Sequence, residues 1–264
     1  MRRRLIATAV VCAALGTAAL GYGQRFGRGY SDVPYCYAPD ECPRTAYDGR
    51  FTFVRMYFDT RPNPCTRGGG GEPPWHHDRP EAERNLSSIL REISRLNTFD
   101  GITGGNVLGL DDPEIFQYPV LWVSEPGFWI PTDEQVKSLR AYLAKGGFII
   151  FDDFTGCDMS NLAAQMFRVL PELQPLELTG AEPIWRSFFD VNPAELRLSQ
   201  GRMRATYWGL FEGNDPTKRQ LAMMNVDNDI GEYMEYSATG FRPVDETNEA
   251  YKLAVNYIVY ALTH

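Results

Sequence analysis

The chain has 264 residues, 44% of them hydrophobic and 23% charged, enough for one α/β domain with a sizeable core. Its formal net charge is -8, and no stripe of Lys and Arg runs along it. That excludes a surface built to neutralise nucleic-acid phosphates.

The N-terminus carries a separate signal. Arg2, Arg3 and Arg4 precede an uncharged, largely apolar stretch from Leu5 to Leu20, followed by Gly21 and Gly23. That order is expected of a secretory signal peptide over residues 1–23. An uncleaved anchor is the competing reading, although the stretch is slightly short for spanning. Either way the chain is expected to be exported to the periplasm or cell envelope. It would touch a membrane only through this segment. Cys12 lies inside the apolar run, which argues against a lipoprotein.

Cys36, Cys42, Cys65 and Cys157 remain beyond the leader. An even number in an exported chain is compatible with two disulfides, with three pairings open. The local choice, Cys36 with Cys42, would place Cys65 near Cys157. Free buried thiols are the alternative. No Cys/His spacing supports a zinc site.

Residues 24–50, rich in Gly, Pro, Tyr and Arg, read as an extended arm, and the α/β domain is expected over 51–264. Phe51 to Tyr57 reads as its first strand. The glycine run Gly68 to Gly71 is no phosphate loop, since no Gly-Lys-Ser/Thr follows it. Asp78-Arg79-Pro80-Glu81 has the form of a capped helix start, with Asp78 as the capping side chain. Leu86, Ile89, Leu90 and Ile93 give that helix one apolar face. Val107 to Leu110 and Pro119 to Val123 read as strands, the second ending at Ser124-Glu125. Thr132 and Gln135 fit a capping box, and Gly146 is placed to end the helix they open. Phe148 to Phe151 is a continuous apolar strand delivering Asp152 and Asp153. Strand, helix, strand at this spacing is a βαβ crossover. A helix through Ala163 to Leu170, strands at Leu176 to Leu178 and Met203 to Trp208, and a polar loop Asp227 to Glu232 follow. Tyr251 to Leu262, apolar almost all round, reads as a helix packed on the sheet.

The pattern resembles a bacterial family known as domain of unknown function 4159 (DUF4159), itself similar to the class I glutamine amidotransferase-like fold. The resemblance covers about residues 50–262. Its specific part is Leu139-Arg140-x-Tyr142-Leu143-x-x-Gly146-Gly147-Phe148 with Asp152-Asp153. Phe51, Phe53, Arg55 and Tyr57, Trp75-x-x-Asp78 with Asn85-Leu86, Tyr118-Pro119, Gly201-Arg202 and Asn248-x-x-Tyr251 accompany it. The resemblance implies a flavodoxin-like, three-layer sandwich around a mostly parallel sheet, and no established activity. Amidotransferases of that fold use a Cys nucleophile, a downstream His and an acid. Here the turn after Phe151 carries Asp152 and Asp153, Cys157 comes several residues late, and histidine occurs only at 76, 77 and 264. Glutamine hydrolysis by that route is excluded.

A carboxylate site is what remains. Adjacent strand residues point to opposite faces, so Asp152 and Asp153 are not expected to face each other. One would look onto the crevice at the sheet edge while the other bonds backbone amides of its own turn. A second acid would come from Glu125, Asp78 or Asp59. Nothing in the sequence requires a cofactor. Asp78, Glu125, Asp152 and Asp153 form a candidate ligand site, with Asp152 and Asp153 the candidates for Mg²⁺ or Ca²⁺. His76 and His77 read as loop histidines, and Asp227-x-Asp229 as an incomplete calcium loop. Most of the tryptophans read as core. The expected function is a non-amidotransferase ligand-binding or assembly module of the cell envelope, with envelope proteins or glycans as partners. A carboxylate- or metal-dependent hydrolase of an envelope saccharide or peptide is the alternative.

Overall fold

A strand covered on both faces has no polar side, and the central strands of this chain are apolar runs buried along their whole length. The structure, a computed structural model, describes residues 36–65, 72–200 and 203–264. The expected leader (1–23), the start of the arm, the glycine run and Gly201-Arg202 lie outside the described residues.

In chain order come β1 (Phe53–Tyr57), α1 (Glu81–Ile93), β2 (Gly105–Gly109), β3 (Val120–Ser124) and α2 (Asp133–Ala144). They are followed by β4 (Phe148–Phe154), α3 (Met159–Val169), β5 (Leu176–Glu177), β6 (Ser199–Gln200) and β7 (Met203–Arg204). β8 (Thr206–Phe211), β9 (Gln220–Val226), α4 (Ile230–Glu235) and α5 (Val244–Thr263) complete the series. Seven strands form one sheet in the order β2-β1-β3-β4-β9-β8-β5. The first five run parallel, and β8 is antiparallel to both of its neighbours. β6 and β7 form a separate antiparallel pair.

Alternate strand residues feed two hydrophobic clusters. Val54, Met56, Leu121, Val123, Ile149, Phe151 and Met224 pack with α2 and α3. Phe53, Trp122, Phe148, Ile150 and Met223 pack with α1, α4 and α5. The chain passes from β1 outward to β2 and then back across to β3. The strand order therefore reverses beside β1, and the carboxyl ends of β1 and β3 open the crevice where open α/β sheets bind ligands.

Local chemistry sets several boundaries. Thr132 and Gln135 make both halves of the capping box on α2. Gly146 follows that helix at φ +103°, a conformation L side chains rarely adopt. Among the arm residues, a disulfide joins the buried Cys36 and Cys42. Arg44 pairs with Asp112 and Glu114, and Thr45 exchanges hydrogen bonds with Asn106 of β2. Among the described residues, no helix is long and apolar enough to cross a membrane.

Three elements depart from the sequence expectation. β9 has no counterpart in it: Leu221-Ala222-Met223-Met224-Asn225 lacks the β-branched and aromatic residues that mark strands, and burial between neighbours overrides that weak signal. The stretch expected as a polar loop, Asp227 to Glu232, turns into α4 at Ile230 because Asp229 caps it, accepting a hydrogen bond from Glu232 N. The strand expected over Met203 to Trp208 is split between β7 and β8.

Phe151 is fully buried in the middle of β4 against Trp129. Phe151→Ala is expected to cost about 3–5 kcal/mol in urea unfolding, while Phe167→Ala, on the exposed side of α3, changes stability by less than about 0.5 kcal/mol.

Candidate functional site

The polar ends of the central strands line up on the sheet face that α1, α4 and α5 cover. Arg55 of β1 is buried and donates to Glu83 of α1 and to Ser124 Oγ at the end of β3. Ser124 is in register with Asp152 of β4. Asp152 is completely buried and accepts from Asn225 Nδ2 of β9 (3.0 Å) and from Gly231 N of α4 (2.9 Å). Tyr257 of α5 donates to Asn225 Oδ1, closing the row. Each buried polar group thus has a partner on another element, which fixes the relative height of the strand ends.

Above this row the backbone turns sharply. Between Phe151 and Phe154, β4 carries one residue more than β9 does, so the pairing slips by a bulge. Asp153 sits there at φ +56°. Asp78, Glu125 and Asp227, at φ +66°, +48° and +54°, share the left-handed conformation, and all of them lie in turns at the carboxyl edge of the sheet. Glu125 is additionally anchored, its N donating to Asp152 O. Asn161 of α3 holds the turn that follows by donating to the carbonyls of Pro126 and Trp129.

Among the described residues two groups of ligand atoms result, each with its atoms within 4.8 Å of one another: His77, Glu125 and Asp153, and Asp78, Asp153 and Asp229. Asp153 belongs to both. His77 Nδ1 lies 2.6 Å from Glu125 Oε1 and 3.4 Å from Asp153 Oδ2. Asp78 Oδ2 is buried without a hydrogen-bond partner. It lies 2.1 Å from where a Cβ on Gly231 would stand, so the carboxylate fits only because residue 231 is glycine.

So many acids in so little solvent shift their protons upward. Burial, then the neighbouring Asp153, holds the carboxyls of Asp78 and Asp229 well above the usual range. Burial pushes Asp152 up to about 7 in spite of the hydrogen bond from Gly231. Burial also raises Glu125, against the pull of His77. Burial disfavours the His77 imidazolium, but Asp153 and Glu125 outweigh it and push the ring up to about 11. A carboxyl whose pKa is raised gives up its proton when it ligates a divalent cation.

The sequence candidates are brought together unevenly. Asp78, Glu125 and Asp153 converge. Asp152 lies beneath them, bonded to a backbone amide as expected of one member of the pair, but the amide belongs to α4 rather than to its own turn. Asp59 is exposed and accepts from Tyr57. Asp78 is not the cap of α1: the helix starts at Glu81 after Pro80 with no side-chain cap, and the left-handed turn at Asp78 points its carboxylate into the acid group. His77, expected as a loop histidine, and Asp229, expected in an incomplete calcium loop, both belong to the acid groups instead. Asp229 would have followed from recognising β9, because the residues after a parallel strand lie on this rim.

The second disulfide, Cys65–Cys157, ties the segment after β1 to the segment after β4, and Cys157 is no free nucleophile. Beside it Asn63 donates to Asp158, and these two line a cleft of about 50 Å³ with Glu125, Asp153 and Thr155. Such a volume holds water or an ion. Trp75, Trp122, Trp129 and Trp185 are buried, so none offers a face to a sugar.

The family model described as domain of unknown function (DUF4159) matches residues 66–262. No curated protein matches the chain.

A carboxyl whose folded pKa is raised binds its proton more tightly in the native state, so its contribution to stability is complete below the unfolded pKa and is lost as pH rises through the folded one. For Asp152 that window runs from its ordinary value of 3.8 up to about 7. Metal-free protein is expected to lose stability between pH 5 and pH 8, and Asp152→Asn to lose less, by on the order of 2 kcal/mol, in urea titrations at the two pH values. Gly231→Ala is expected to cost stability and to disturb the site, although alanine suits a helix better than glycine does. Thermal melts of the variant with and without cation read both effects.

Proposed function

We propose that this chain, which belongs to the DUF4159 family, is an exported ligand-binding or assembly module of the cell envelope whose site holds a divalent cation. The observation that carries the reading is the convergence of His77, Asp78, Glu125, Asp153 and Asp229 on one rim. Carboxylates this close and this desolvated need a countercharge, and oxygen-rich sets of this kind suit Mg²⁺, Ca²⁺ or Mn²⁺. Two disulfides support an oxidising compartment, the periplasm or envelope.

The same reading takes the fold as a flavodoxin-like, three-layer relative of the amidotransferases in which Asp152 and Asp153 replace the nucleophile turn. Helices packed against both faces of the sheet support it. The partner is read as an envelope protein or a glycan; Tyr236 and Phe241 meet at the surface with their rings tilted, while four of the five tryptophans are buried.

A hydrolase acting on an envelope saccharide or peptide has one observation in its favour: Glu125, with its raised carboxyl, faces the cleft beside Asp153. Among the described residues the cleft measures about 50 Å³, the size of a few waters or an ion, and this supports the binding reading.

After treatment with EDTA, adding Mg²⁺, Ca²⁺ or Mn²⁺ at about 100 times its Kd is expected to stabilise the chain by roughly 2.7 kcal/mol. In differential scanning fluorimetry this is a rise of about 5–10 °C in Tm. Asp153→Asn is expected to abolish the rise. If no divalent cation moves the Tm of the unmodified chain, the cation-binding reading is wrong.

A further inference from the structure

We infer that the site holds two cations, not one, bridged by the carboxylate of Asp153. This deepens the cation reading above and rests on it. Three observations carry it. First, the two ligand groups share Asp153 and nothing else: His77 and Glu125 stand in one, Asp78 and Asp229 in the other. A carboxylate common to two ligand sets has two oxygens to divide between two ions, and paired ions in proteins sit about 3.5–4 Å apart.

Second, the charge does not balance with one ion. Among the described residues, the two groups bring four carboxylates, those of Asp78, Glu125, Asp153 and Asp229, against a single imidazole. Arg55 lies beneath them but is already committed to Glu83 and Ser124. One dication leaves the ionised site strongly negative in a poorly solvated place, whereas two bring it close to neutral. Third, the Asp78–Asp229 half has an acceptor ready: Asp78 Oδ2 is buried, lacks a hydrogen-bond donor and fits into the space left by Gly231. A buried carboxylate oxygen with no donor is costly unless a proton or a cation occupies it.

The two positions differ in chemistry. His77, Glu125 and Asp153 offer one nitrogen among oxygens, a set suited to Mn²⁺ or Zn²⁺. Asp78, Asp153 and Asp229 offer oxygen alone, which suits Ca²⁺, Mg²⁺ or Mn²⁺. The first borders the small cleft that Glu125 and Asp153 line, and its remaining coordination positions open there. The second lies deeper, against the N-terminal turn of α4.

Mn²⁺ serves as the probe because it suits both sets and reports through its electron spin. The EDTA-treated chain is titrated with Mn²⁺ by calorimetry and followed by electron paramagnetic resonance. Two Mn²⁺ per chain are expected, with the six-line signal of an isolated ion giving way to a broad coupled spectrum as the second binds. His77→Gln and Asp229→Asn are each expected to keep one ion and lose the coupled spectrum. Asp153→Asn is expected to weaken both by about 100-fold or more. Excess Ca²⁺ is expected to displace one Mn²⁺ from the unmodified chain and none from Asp229→Asn.

One Mn²⁺ per chain, abolished alike by His77→Gln and Asp229→Asn, overturns the pair of ions and leaves the single-cation reading standing. Two ions retained in either variant overturn the assignment of ligands. No Mn²⁺ at all removes the cation reading itself. Should Asp153→Asn fail to fold, the stoichiometries of the other two variants decide.

Discussion

The buried carboxylate of Asp152 is the interaction on which the rim depends. It accepts from Asn225 on the neighbouring strand and from the amide that opens α4, so one side chain fixes three elements at a common height. Unpaired, such a group would cost several kcal/mol, and its partners are therefore held in place as firmly as it holds them. Two members of the rim lie one or two residues from this anchor: Asp153 follows Asp152 in β4, and Asp229 stands two residues before Gly231, whose amide donates to Asp152. The acidic rim is in this sense the visible end of a buried polar row.

That row and the bulge in β4 act together. A strictly extended strand would send Asp153 to the opposite face from Asp152, among the apolar side chains that pack with α2 and α3. The extra residue, taken up by a left-handed turn at Asp153, moves the carboxylate to the edge instead. The same conformation recurs at Asp78 and Glu125, where it costs a non-glycine residue about 1–3 kcal/mol. Strain repeated at three acids around one point fits a site in which position matters more than local comfort.

Much of the architecture was legible in the sequence because hydrophobic period and capping chemistry are local properties. The apolar run ending in Asp152-Asp153, the capping box at Thr132 and Gln135, and the glycine stop at Gly146 each announced an element within a few residues of its position. The site was half legible for the same reason. Asp78, Glu125 and Asp153 stand where chain segments end. His77 carries no local sign that sets it apart from His76, whose ring is buried beside Glu72. Asp229 was hidden behind a methionine-rich strand that propensity does not mark.

By itself the sequence determined the alternation of strands and helices, the acidic and cysteine-bearing character of the chain, and the strand that ends in two aspartates. These follow from side-chain type and spacing along a few residues, which the chain carries wherever it goes. Only the tertiary structure decided which acids meet. Residues 77, 78, 125 and 229 are brought within 4.8 Å of Asp153 by the fold, and that approach is set by strand register, a one-residue bulge and a glycine at 231 that makes room for Asp78. Each is a fit between segments remote in sequence, and neither segment alone contains it.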